Sequence, residues 1–364
     1  MNRFLKGMDI SGLNEIEKNA GVYYDHGIAR DPVLIFRDYG INLARIRLWN
    51  DPYDLNGEPY GAGTTDLDTV IALAKRAQDA GLLWLLDFHY SDFWADPGKQ
   101  ILPKAWKNYD FEELKTAVYS YTKSVLQTLK KENLHPDYIA VGNEITNGLC
   151  WPVCKIPAYD RIAALVSQGI IASREEFPSS KIMIHLDQGG NTELYRKWFT
   201  EYFRNGGKDF DAIGLSFYPA WHGTLENLRE NLEELSRTYD KELIIAETSY
   251  PFTTEDYAQY EDYLGEDRKG PAIKPEFEKR LPYPVSKEGQ CAFMKELMST
   301  VSKFGNGFIY WGGELIPRKG SSWASPSALE YIHEKGPGGN EWANQAVFDY
   351  DGEVLPVMEA IKDF

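Results

Sequence analysis

The run "LDTVIALAKRAQDAGLLWLLDFHY", residues 67–90, contains one whole repeat of the chain's organisation. Its first half carries helical periodicity and stops at Gly81, where a helix C-cap belongs. A nearly continuous apolar stretch follows, "LLWLLDFHY", and it ends in Asp87, His89 and Tyr90. A strand that is apolar along its length is one covered on both faces, as in a parallel sheet backed by helices.

Working outward, seven further runs have this character: "FLKGMDIS", "INLARIRLW", "YIAVGNEI", "KIMIHLDQG", "AIGLSFYP", "ELIIAETSY" and "GFIYWGGE". Helical stretches lie between them, including "FEELKTAVYSYTKSVLQTLKKEN" and "KEGQCAFMKELMSTVSKF", the second placed before Gly305 as its C-cap. Eight alternating units predict an α/β fold, a (β/α)8 TIM barrel, with residues 1–364 as a single catalytic domain. An open doubly wound sheet is the alternative. It lacks support because "DISGLNEIEKNAG" offers no glycine-rich phosphate turn after the first strand.

Composition narrows the function. Lys plus Arg number 39 against 55 Asp plus Glu, a net charge of -16, which repels phosphate backbones and anionic lipid. Nucleic acid is therefore excluded as a partner and a neutral ligand favoured. No run is long and apolar enough for a membrane span. The start "MNRFLKGMDIS" lacks a signal-peptide pattern, so either the chain is cytoplasmic or a signal peptide is missing from this sequence. An extracellular, cell-surface or periplasmic location after removal of such a peptide is expected, as is a monomer. Three cysteines are too few for a disulfide scaffold; Cys150 and Cys154 could bridge or remain two thiols. No Cys or His cluster supplies a zinc site.

Barrel active sites form at the C-terminal ends of the strands, where the following loops converge. There the sequence places Arg45, Arg47 and Trp49; Asp87 and His89; Asn143 and Glu144; His185 and Asp187; Tyr218; Glu247; and Trp311 with Glu314 just beyond. Any one could merely solvate a strand end. Burying so many polar groups together costs several kcal/mol, by order of magnitude, unless partners compensate. Glu144 and Glu247, ending the fourth and seventh strands, reach one mouth, and a pair of carboxyls is what glycoside hydrolysis needs. Arg47 near Glu247 would hold it ionised, while Glu144 beside an uncharged amide keeps a raised pKa. Asn143 would then bond the sugar 2-hydroxyl. For a retaining reaction the two carboxyls should face each other across about 5 Å.

The motifs "GMDIS", "RIRLWNDP", "LLDFHYSDFWADPGKQ", "PKAW", "VGNEITNGLCWP", "GLSFYPAWHGTL", "AETSYPFT" and "NQAVFDYDG" resemble, in order, those of glycoside hydrolase family 53, the endo-β-1,4-galactanases. The resemblance covers nearly the whole chain. It implies a retaining barrel with acid/base at Glu144 and nucleophile at Glu247, Arg47 and Tyr218 beside the nucleophile, and His89 and Trp311 in the central sugar subsite. Asp92, Trp94, Trp221 and His222 are further expected sugar contacts. Trp151, Trp323 and Trp342 are candidate stacking platforms, each equally readable as core, and Glu314 is the rival nucleophile. The implied substrate is β-1,4-galactan or a galacto-oligosaccharide, with no cofactor required. Another β-1,4-glycan, or a non-catalytic carbohydrate-binding barrel, is the alternative. Two departures stand out. Bacterial relatives carry calcium in the loop after the seventh strand, and here "TTEDYAQYEDYLGEDRKG" keeps carboxylates without the ligand pattern, which leaves oxygen-rich calcium coordination open. The cysteines of "CWPVC" are also unlike the usual loop.

Overall fold

The computed structural model of the chain describes residues 4–260, 270–273, 275–336 and 338–364. Eight parallel strands close into a barrel in sequential order: β1 (Leu5–Asp9), β2 (Leu43–Leu48), β3 (Leu83–Phe88), β4 (Tyr138–Val141), β5 (Lys181–Leu186), β6 (Ala212–Ser216), β7 (Glu242–Thr248) and β8 (Gly307–Tyr310). Closure is made by β1, whose Gly7 pairs with Ile309 on one side and Leu43 on the other. A Cβ on Gly7 would lie 2.7 Å from Ile309 Cγ1, so this approach requires glycine.

A helix follows each strand: α1 (Pro32–Asp38), α2 (Leu67–Asp79), α3 (Phe111–Lys131), α4 (Tyr159–Glu176), α5 (Thr192–Arg204), α6 (Leu225–Thr238), α7 (Lys287–Val301) and α8 (Val357–Lys362). The starts of all but α4 and α8 are capped by side chains. Asp66 accepts from Thr69 N at α2, and Asp110 and Glu113 form a reciprocal capping box at α3. Helix α2 buries Val70, Leu73, Ala74 and Ala77, one stripe at helical spacing. Gly81 ends it with φ 77°, as expected. Gly305 does something else: α7 ends at Val301, and Gly305 lets the chain pass Leu243, whose carbonyl oxygen a Cβ would meet at 2.9 Å.

The barrel interior is filled by Leu5, Leu43, Leu85, Tyr138, Ala140, Met183, Ala212, Ile244, Ala246 and Ile309. Each large aliphatic side chain in such a core contributes about 1.5–3 kcal/mol. This plug leaves the top of the barrel for the polar strand ends. A smaller aromatic cluster of Trp49, Tyr60 and Phe93 with Ala324, Ala328, Leu329 and Ile332 supports the loops around that end.

Candidate active site

Strand β4 runs into Gly142, with φ 89°, where a side chain would strike Ile145 Cγ2 at 2.6 Å. Glu144 itself is left-handed, φ 46° and ψ 47°. A non-glycine residue held there costs on the order of 1–3 kcal/mol, strain that clusters at functional sites. Gln100 pins the turn by donating to the Asn143 carbonyl at 2.8 Å. This sharp exit is what turns the apolar strand into adjacent Asn143 and Glu144 side chains at the mouth.

Both carboxyls line one cleft of about 1050 Å³, open to solvent, together with Asn143, Tyr218, Trp221, His222 and Trp311. Trp94, Trp323 and Trp342 also line it, so five tryptophans surround the carboxyls. The cleft also takes Asp96, Lys99, Glu334 and Glu341, which sequence reasoning missed because they sit on loops without strand registration.

Beneath the carboxyls lies a buried charge network centred on Arg45. Its guanidinium donates to Asp9 at 2.9 Å, Asp87 at 2.6 Å, Asn143 Oδ1 at 2.8 Å and Glu247 Oε1 at 2.7 Å. The other Glu247 oxygen accepts from the Tyr218 hydroxyl at 3.0 Å. Burial alone would lower the Arg45 pKa, but Glu247, Asp87 and Asp9 outweigh it and raise it. Asp87, despite burial, is held well below the ordinary carboxylate range by Arg45 and His89. Asn143 is fixed in place: Nδ2 donates to Ala95 O at 2.8 Å, and Oδ1 also accepts from His185 Nδ1 at 2.8 Å. Because an amide oxygen only accepts, that His185 nitrogen carries the proton and Nε2 faces the Ser216 hydroxyl at 2.8 Å. Burial and Arg45 lower the His185 pKa to about 3, so the ring is neutral. One Asn143 amide hydrogen is left for the cleft.

The two glutamates are unequal. Burial, the Glu247 charge and Asp187 push the Glu144 pKa well above its ordinary value. Burial raises Glu247 as well, but Arg45 and the Tyr218 hydroxyl oppose it. Glu247 therefore ionises first and Glu144 keeps its proton. One protonated and one ionised carboxyl in a shared cleft is the pairing that glycoside hydrolysis employs.

Several expected positions differ. The nucleophile's neighbour is Arg45 and not Arg47, which turns toward Thr65 and Ala62 and stacks on Trp49 and Trp94. Strands in such a barrel tilt by about 36°, so register partners stand at different heights. Arg47 is registered with Asp87, yet the long Arg45 side chain is the one that meets it. His89 is buried behind the cleft lining: its Nδ1 accepts from Trp49 Nε1 at 3.3 Å and Ala95 N at 3.2 Å, and its Nε2 lies 3.3 Å from Asp87. Asp92 is also buried, accepting from Asp51 N and Lys104 N, and ties loops together away from the cleft. Trp151 packs under Lys155, outside the cleft lining. Glu314 is 2% exposed, with Oε1 accepting from Gly12 N at 3.0 Å, and it does not line the cleft. Cys150 and Cys154 are two buried free thiols. Among the described residues no group of three or more His, Cys, Asp or Glu could hold a metal. The carboxylates of residues 261–269, part of the possible calcium loop, lie outside the described residues.

The whole-chain comparisons agree with this chemistry. Residues 5–361 match glycosyl hydrolase family 53. An endo-β-1,4-galactanase of Bacillus subtilis (strain 168) is 36% identical, covering 100% of this chain and 86% of the relative. An arabinogalactan endo-β-1,4-galactanase of Cellvibrio japonicus (strain Ueda107) is 36% identical over 90% of this chain and 86% of its own length. Among solved structures, the family 53 catalytic domain of Ignisphaera aggregans superposes with TM-score 0.89 at 36% identity, covering 98% of this chain and 95% of that one. The chain belongs to glycosyl hydrolase family 53. It is a glycoside hydrolase.

Proposed function

We propose that the chain is a retaining endo-β-1,4-galactanase, cutting β-1,4-galactan such as the galactan side chains of pectin by double displacement. Glu144 gives its proton to the departing glycosidic oxygen while Glu247 attacks the anomeric carbon. Glu144, now ionised, then removes a proton from the water that releases the glycosyl-enzyme. Arg45 and Tyr218 hold Glu247 by one oxygen each, which aims the carboxylate and favours its charged form. The remaining Asn143 amide hydrogen reaches the sugar 2-hydroxyl. The observation that carries the reading is the unequal pair Glu144 and Glu247 in one tryptophan-lined cleft.

The choice of galactan rests on what the relatives are named for, since barrel and carboxyl pair are common to hydrolases of other β-glycans. An open cleft suits internal cutting of a polymer, and a polymeric substrate places the work outside the cytoplasm. No cofactor enters these steps. A panel of galactan, mannan, xylan and cellulose, assayed by new reducing ends, checks the substrate: galactan is cleaved fastest, and an inert galactan with another active polymer would overturn the assignment.

A further inference from the structure

Arg47 is a buried cation, 4% exposed, for which no carboxylate lies within ion-pair distance among the described residues. Burial lowers its pKa to about 10, with Asp9 and Glu314 only partly offsetting the effect. It remains charged at neutral pH, so its compensation has to come from elsewhere. Its Nε donates to Thr65 Oγ1 at 3.1 Å and its Nη2 to the Ala62 carbonyl. Its guanidinium carbon lies 4.4 Å from the Trp49 ring centre and 4.0 Å from that of Trp94. Such cation–π contacts gain strength when they are desolvated, as both are here.

The two rings differ. Trp49 is fully buried, whereas Trp94 is half-buried and lines the cleft with Glu144 and Glu247. Trp94 lies on the irregular loop after β3, so no strand fixes its indole. Besides Arg47, its ring meets Trp323 O, to which the indole N–H donates at 3.1 Å, and the rings of Trp49 at 5.2 Å, Trp311 at 6.1 Å, and His89 and Phe93 at 6.2 Å each; of these neighbours only the Arg47 guanidinium brings a charge over the indole. Trp311 in turn meets Trp342 at 5.2 Å. Arg47 thus stands behind the first ring of a connected aromatic wall.

We propose that Arg47 is a positioning residue for substrate binding, clamping the Trp94 indole from behind so that the Trp94–Trp311 wall presents a fixed surface for sugar stacking. This rests on the reading of the cleft as the glycan site. The clamp needs a planar cation, since a lysine ammonium cannot meet Thr65, Ala62 and two rings at once. Loss of the clamp lets Trp94 rotate in the free enzyme, and re-ordering it on binding weakens affinity without touching the carboxyls.

The test compares R47M and R47K with the wild type on galactan. In R47M, KM is expected to rise about five- to twentyfold while kcat stays within about threefold and the pH limits do not move. R47K should lie near R47M despite keeping the charge, and it carries the test if R47M fails to fold. In a W94A background, R47M should change KM less than about twofold, because the ring it clamps is gone. The near-ultraviolet circular dichroism of the free enzyme, which needs no substrate, should lose intensity in R47M as Trp94 loosens. An unchanged KM and dichroism, full rescue by R47K, or a fall in kcat with a shifted acid limb would overturn the proposal. Failure of the galactan reading shows separately, as a wild type inactive on galactan. The KM and kcat split is then read on whichever polymer the enzyme cuts.

Discussion

Arg45 and Arg47 stand two residues apart on β2, about 6.6 Å along the strand, on the same inward face. Arg45 is held by two aspartates, Glu247 and the Asn143 amide, and its pKa is raised. Arg47 is held by two indoles, a hydroxyl and a carbonyl, and its pKa falls. One step along a strand thus separates a charge that tunes the reacting carboxylate from a charge that shapes the wall beside it. Chemistry and binding are divided between two layers of the same barrel end.

The larger effect is expected in the lower layer. R45M leaves Asp9, Asp87 and Glu247 buried without their cation, a loss of about 3–5 kcal/mol in stability for a broken buried pair. In the fraction that remains folded, kcat/KM for galactan should fall about 10²–10³-fold by analogy with removal of one transition-state-stabilising donor. The acid limb of the rate profile should move to higher pH, because Glu247 loses the partner that favours its ionised form. Thermal unfolding measured beside the pH profile separates the two losses. A variant with a normal acid limb would return the nucleophile's partner to Arg47.

A smaller effect comes from Glu314, a buried carboxyl whose charge acts on Arg47. Burial and Asp9 raise its pKa from 4.5 to about 8. The folded state therefore holds a proton that the unfolded state has lost, and stability declines as pH rises from about 4 toward about 8, by at most about 1.4 kcal/mol per unit. Gln imitates the protonated acid, so E314Q should match the wild type in melting temperature at pH 5 and exceed it at pH 8. Galactan turnover should stay within about threefold, since Glu314 lies outside the cleft lining. Loss of turnover on the scale of a missing nucleophile would remove Glu247 from that role.

The contrast between the two arginines also marks how far the sequence could be read. Apolar runs ending in polar residues located all eight strands, because a buried parallel strand leaves no other signature. The same ends placed Glu144 and Glu247 in one mouth, since closure of the ring brings strands β4 and β7 to it. Height within the barrel was not legible. Period-two alternation says that Arg45 and Arg47 face the same way, and only tilt and side-chain reach decide which one meets Glu247. A signal for Arg45 did exist: an inward arginine flanked by Asp9 and Asp87 on the two adjacent strands has its counter-charges already supplied. His89 and Asp92 lie buried outside the cleft lining for a related reason. They follow the end of β3, where the chain leaves the barrel and turns back on itself, so spacing no longer tells which side chain faces the cleft.

The division of roles between Glu144 and Glu247 is tested most directly by trapping the covalent intermediate. A 2-deoxy-2-fluoro-β-galactobioside with a dinitrophenolate leaving group slows breakdown of the glycosyl-enzyme more than its formation, so the ester accumulates. Mass spectrometry of the digested protein is expected to find one fluorosugar on the peptide containing Glu247, with Glu144 unlabelled. Labelling of Glu314 or Glu144 instead, or turnover of the fluorosugar with inversion and no adduct, would contradict the assignment.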